Sequence, residues 1–176
     1  MKALIRETKE THVRIARAKV ARVSTGLPFY DHMLAVFLRY ADLPLSIEAK
    51  GDLRHHLMED VAITLGGYVR RVMPATAARY GERSIPMDDT LVRAVLDAGG
   101  RPFFRGKLPS QLYTHWFRSF AFEAGITLHL DVLRGDDRHH ILEAAFKATG
   151  LALAQALRDD GRVFSTKGTV SWAEEP

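Results

Sequence analysis

The chain contains no cysteine, which excludes disulfide staples, thiolate ligands and iron–sulfur clusters, so any metal site must be built from histidine and carboxylate. Such a donor set favours Mn, Zn or Fe over Cu(I). No apolar run approaches the length of a membrane span, and the opening MKALIRETKE is too charged for a signal peptide. The expectation is a soluble cytoplasmic protein with no membrane partner. Charge of one sign is also scarce: the net charge is +4, and the 25 basic residues form no dense tract with stacking aromatics, which argues against a nucleic-acid partner. Isolated arginines converging on a phosphate would explain the small surplus equally well. No Pro/Gly/Ser-rich linker divides the 176 residues, and a hydrophobic content of 47% suffices for one compact core.

Against these absences stand two near-copies of one phrase, HHLME at His55 to Glu59 and HHILE at His139 to Glu143, 84 residues apart. In a helix the first His and the Glu, four positions apart, share a face, while the second His points about 100° away. One motif can therefore serve two metals. The match continues in the same register, Lys50-Gly51-Asp52 facing Arg134-Gly135-Asp136 and Gly66 facing Gly150. Ligands, turn glycines and apolar positions agreeing in one offset argue for a duplicated unit. The expected organisation is a single domain, residues 1–176, of two pseudo-symmetric repeats covering approximately 1–86 and 87–176.

Alternating apolar residues predict strands over Thr11 to Ala18, Leu43 to Ala49, Leu91 to Leu96, Pro102 to Arg105 and Ile126 to Val132. Asp31 to Tyr40 and His115 to Glu123 read as helices. The two metal-motif helices are the longest, with apolar stripes Met58, Ala62, Leu65, Val69 and Leu142, Ala145, Phe146, Thr149, Leu153, Leu157. Helices following strands in each half, with no long parallel βαβ series, predict an α+β fold: two duplicated half-domains forming an α/β sandwich with helices packed on sheet.

His32 falls one residue from alignment with His115 at the 84-residue offset, and both open a helix ahead of a strand leading to an HHxxE motif. The candidate ligands are therefore His32, His55, His56, Glu59, His115, His139, His140 and Glu143, three His and one Glu for each of two metals. His129 faces Leu45 at this offset and is left outside with His12. Lys147 lies four residues after Glu143, on the metal-facing stripe of its helix.

Further segments stand out along nearly the whole chain: TKET at Thr8, TGLPFYDHML at Thr25, GDL at Gly51, HHLMED at His55, IPMDDTL at Ile85, LDAGGRPFF at Leu96, FRSFAFEAGITLHL at Phe117, HHILEAAFKA at His139 and STKG at Ser165. In these motifs and their order the chain resembles the imidazoleglycerol-phosphate dehydratase family of histidine biosynthesis. The resemblance implies dehydration of D-erythro-imidazoleglycerol phosphate to imidazole acetol phosphate, dependent on two Mn²⁺ per subunit. Metals gripping the imidazole nitrogens favour a metal-bound imidazolate that expels the neighbouring hydroxyl to a diazafulvene-like intermediate, after which a base removes the next C–H proton. The resemblance places that base at Glu10 of TKET. It places the phosphate anchors at Arg79, Arg101, Lys147, Ser165 and Lys167, and it implies a hollow 24-subunit homo-oligomer with metal sites shared between neighbours.

The chain departs from the family pattern before His55, where the usual loop is longer and ends in Asp-Asp. Only Arg54 intervenes here, so a carboxylate able to orient a ligand histidine is expected to be missing. Ala35, Val36 and Tyr40 replace the usual Asp-Gln and His, Asp89 stands where Glu is usual, and Phe164 stands for Pro. The family's fused phosphatase partner has no counterpart, so a monofunctional enzyme is expected. The rival readings are a dinuclear phosphoester hydrolase, which usually needs several Asp ligands, and a non-catalytic metal-dependent assembly protein, which needs no phosphate clamp.

Overall fold

A computed structural model describes residues 3–163. Ser165 and Lys167, two of the expected phosphate anchors, lie outside the described residues, as does Phe164. The chain runs β1 (Ala3–Glu7), β2 (Thr11–Arg17), β3 (Arg22–Ser24), α1 (Pro28–Tyr40), β4 (Leu45–Gly51) and α2 (Arg54–Val72). It then repeats the order as β5 (Tyr80–Met87), β6 (Thr90–Asp97), β7 (Phe103–Gly106), α3 (Gln111–Ala124), β8 (Thr127–Arg134) and α4 (Arg138–Ala156). The two four-stranded sheets have the same order, β1-β2-β4-β3 and β5-β6-β8-β7. The α+β sandwich of duplicated halves is thus the observed architecture, and the segment linking the two sheets runs from Met73 to Arg79.

The expected strands and helices are all present, shifted by a few residues at their ends. Three strands were not foreseen: β1, β3 and β5. All three are sheet edges, where one side of the ladder is open and alternation is weak. Strand β3 has three residues, and β5, YGERSIPM, carries a glycine and a proline. Each half also contains one parallel crossover, β3-α1-β4 and β7-α3-β8.

The repeat is not of constant length. Phe37 O and Ala41 N lie against Gly150 as Phe120 O and Ala124 N lie against Gly66, so α1 and α3 are related by an offset of 83. The register of β6 on β8 slips between Leu91, opposite Arg134, and Val92, opposite Val132. Leu133 is therefore one extra residue, a β-bulge, and it accounts for the change to 84 at the metal motifs. At the 83-residue offset His32 corresponds to His115, removing the one-residue mismatch, and His129 corresponds to Ser46 rather than Leu45.

The helices lie between the sheets. Helix α2 packs on β1, β2 and β4, α4 packs on β5, β6 and β8, and they meet the helix of the other half as α2 on α3 and α1 on α4. The apolar stripes read from the sequence are buried in this layer, apart from half-buried Leu157. Trp116 is its hub, stacked on Phe120 at 5.5 Å and against Phe146 at 4.7 Å, with its indole N–H donating to the Tyr30 hydroxyl at 2.7 Å. One hydrophobic cluster joins residues of both halves.

Glycine permits the closest helix contacts. A Cβ at Gly66 would lie 2.6 Å from the Phe120 carbonyl oxygen, and one at Gly150 would lie 2.9 Å from that of Phe37. Backbone cannot yield as a side chain can. Gly66→Ala and Gly150→Ala are each expected to cost about 1–3 kcal/mol by overpacking, read as a lower midpoint in urea. An unchanged midpoint in either variant would show that the helices separate freely.

Candidate metal centres

Because α1 packs on α4 and α2 on α3, the ligand side chains meet across the halves. His32 of α1 joins His139 and Glu143 of α4, and His115 of α3 joins His55 and Glu59 of α2. In the first cluster His32 Nε2 and His139 Nε2 lie 3.4 Å and 2.9 Å from the same oxygen, Glu143 Oε2. In the second, His55 Nε2 and His115 Nε2 lie 3.6 Å and 3.7 Å from the two oxygens of Glu59. The His55 and His115 rings stack at 5.3 Å. Among the described residues the buried Nδ1 of His115 has no hydrogen-bond partner.

The donors in each cluster lie within 4.8 Å of one another. A transition-metal ion about 2.0–2.2 Å from each ligand needs them within roughly 4.4 Å, a closure small enough for side-chain adjustment. Imidazole nitrogens and a carboxylate aimed at a common point fit a borderline divalent ion such as Mn²⁺, Zn²⁺ or Fe²⁺.

Six of the eight expected ligands are thus brought together, three to a cluster. The second histidines, His56 and His140, turn to another face, as the 100° separation requires. His56 Nδ1 lies 3.0 Å from Asp52 Oδ1 and 3.4 Å from Glu10 Oε2. His140 Nδ1 lies 2.8 Å from Asp89 Oδ1, and its Nε2 lies 3.4 Å from Asp88 Oδ2. The Asp-Asp of the family loop is absent, as expected, but a carboxylate holds His56 all the same, that of Asp52 in GDL.

Electrostatics differ between the clusters. Burial would raise the Glu143 carboxyl, but Lys147 Nζ at 2.8 Å and His139 outweigh it and hold the group down at about 2. Lys147 also lies over the Tyr40 ring at 5.9 Å. Its counterpart in the first half is Ile63, so among the described residues Glu59 has no lysine partner. Asp89 is held well below the usual carboxylate range, first by the backbone N–H of Asp136 and then by His140. The hydrogen bond between Asp52 and His56 lowers the acid and raises the imidazole.

Glu10 sits in the β1–β2 turn, half-exposed beside His56. The turn is tied down by buried Asp60, which accepts from the Thr11 hydroxyl and, at 3.0 Å, from Arg6 Nε. Thr8 Oγ1 accepts from the backbone N–H of Glu10 and Thr11. The expected phosphate anchors Arg79 and Arg101 lie elsewhere. Arg79 donates to both oxygens of Asp97, at 2.7 and 3.0 Å, and Arg101 lies 3.9 Å from the same carboxylate. The Arg79 backbone N–H bonds to the carbonyl of Ala156 at the C-terminus of α4, about 25 Å along that helix from His139 at 1.5 Å per residue. The structure does not bring these arginines to the histidines of the same chain.

Asp52, Asp60 and Asp89 were missed by sequence reasoning. Asp60 directly follows Glu59 in HHLMED, and its absence from HHILEA was the available signal. The contacts of Asp52 and Asp89 depend on chain geometry at turns.

Among the described residues no helix is long and apolar enough to cross a membrane. The family model described as imidazoleglycerol-phosphate dehydratase matches residues 25–153. A protein of that name from Azorhizobium caulinodans is 42% identical over 95% of this chain and 96% of its own length. The solved structure of the Pyrococcus furiosus dehydratase superposes with a TM-score of 0.87 at 37% identity, covering 95% of this chain and all of that one. That of the Staphylococcus aureus enzyme gives a TM-score of 0.80 at 34% identity, covering 90% and 99%.

Proposed function

The chain belongs to the imidazoleglycerol-phosphate dehydratase family, and from that membership we propose that its two His-His-Glu clusters hold the metal ions of a dehydratase whose site is completed by neighbouring copies. The reaction is a hydro-lyase step of histidine biosynthesis, dehydrating imidazoleglycerol phosphate to the acetol phosphate. The observation that carries the metal reading is the convergence of a histidine from one half on the HxxxE pair of the other, twice.

We assign two Mn²⁺ per subunit. His32, His139 and Glu143 hold one, and His55, His115 and Glu59 hold the other. A divalent ion bound there supplies a Lewis acid for the substrate's imidazole. His56 and His140 are the remaining ligands. Their rings face away from the clusters of their own chain, and we assign each to a cluster of another copy, a reading that supports assembly into a 24-subunit particle. The distance of Arg79 and Arg101 from the histidines of their own chain supports the same arrangement.

Glu10 takes the proton from the side-chain carbon next to the one that loses the hydroxyl, and the resulting enol becomes the ketone. Its placement fits: half-exposed, beside a ligand histidine, and on a turn fixed by Asp60. Arg79, Arg101, Ser165 and Lys167 bind the phosphate. Lys147 spends one of its three donor hydrogens on Glu143 and has others for the substrate. A phosphorylated substrate is retained inside the cell, so the enzyme works in the cytoplasm.

Metal-stripped protein should turn over imidazoleglycerol phosphate only after Mn²⁺ is restored, with two ions bound per subunit by elemental analysis. Full turnover without metal would overturn the cluster assignment, and one ion per subunit would remove one cluster from it.

A further inference from the structure

We propose that Asp52 is the positioning residue for His56, holding the Nδ1–H so that Nε2 is presented to a metal while Glu10 stays free to move a proton. The inference rests on the metal reading above.

The pseudo-symmetry makes the argument. Thr11 abuts Gly51, and Thr90 abuts the position of Gly135, so the turn residue before each threonine is equivalent: Glu10 in the first half, Asp89 in the second. Likewise Asp52 is equivalent to Asp136. If the halves worked alike, Glu10 would hold His56 as Asp89 holds His140. They do not. His140 Nδ1 is 2.8 Å from Asp89, whereas His56 Nδ1 is 3.4 Å from Glu10 and 3.0 Å from Asp52.

An imidazole Nδ1 carries one proton and makes one good hydrogen bond with it. In the second half the turn carboxylate takes that bond. It also accepts the backbone N–H groups of Asp136 and Asp137 at 2.7 and 3.2 Å, so it is fully engaged as a brace. In the first half Asp52 takes the bond instead, from a loop shortened to place it one helical turn before His56. Its own backbone fixes it further, since Asp52 Oδ1 accepts the Leu53 N–H at 2.6 Å. Among the described residues the exposed side chain of Asp136, at the equivalent place, holds no histidine.

The test is calorimetric titration of metal-free full chain with Mn²⁺. Asp52→Ala should weaken one of the two ions by about 10–100-fold, the usual effect of removing a carboxylate behind a ligand histidine. Asp52→Asn, whose carbonyl oxygen still accepts the Nδ1–H, should restore most of the affinity. Asp136→Ala should leave both ions as in the unmodified protein. The proposal fails if Asp52→Ala binds both ions normally, if Asp136→Ala weakens binding equally, or if Asn does no better than Ala. Failure of the unmodified chain to bind Mn²⁺ would instead overturn the cluster assignment itself.

Discussion

Glu10→Gln is expected to lower kcat by about 10²–10⁴-fold, the range for loss of a positioned general base, with both metal ions retained. Glutamine keeps the length and shape of the side chain, and the turn that carries it is secured by Asp60, Thr8 and Thr11 rather than by the carboxylate itself. Stability should therefore be unchanged. The variant should also keep KM near its original value, since the proton is taken only as the reaction proceeds. Steady-state kinetics beside elemental analysis distinguish the outcomes: full turnover removes Glu10 from the mechanism, and loss of metal with loss of turnover makes it a support for His56.

Glu143→Ala should remove one ion and also destabilise the metal-free protein, by about 3 kcal/mol, because it strips a mostly buried carboxylate from a lysine and a histidine that depend on it. The Glu143 side chain is 10% exposed and that of Lys147 is 19% exposed. Glu59→Ala removes the other ion from a side chain that is 33% exposed and has no lysine partner among the described residues, so its stability cost should be under about 1 kcal/mol. The difference has a pH signature. With its carboxyl held at about 2 against an ordinary 4.5, Glu143 contributes stability that is complete above pH 4.5 and lost as the pH falls toward 2. Urea midpoints of the metal-free Glu143→Ala variant and the unmodified chain should therefore converge in acid. A constant gap across that window would show that Lys147 and His139 do not stabilise the ionised carboxylate.

The central strands and the helices were legible because their patterns are enforced by burial: β2, β4, β6 and β8 alternate against a core, and the motif helices carry apolar stripes. The edge strands β1, β3 and β5 bury less and show less. Spacing along a helix also separated the first His from the second in each motif. Which histidine completes which cluster was not legible, since nothing local says that α1 packs on α4 instead of α2. The 84-residue offset aligned His32 with Trp116 because a bulge at Leu133 lies between α3 and the second motif. The role of Asp52 was hidden for a similar reason: its neighbour Arg54 suggested the wrong charge beside His56, whereas the loop curls the aspartate back under the ring.

The crossed origin of the clusters bears on ancestry. A single half supplies a lone histidine on one helix and an HxxxE pair on another, and the two face different partners. Neither half closes a cluster by itself. Two identical halves related by a twofold axis would close two, since His32 stands to the second motif as His115 stands to the first. A half-length ancestor of this fold would have held metal only as a pair, and gene fusion would have preserved an arrangement that dimerisation had already made.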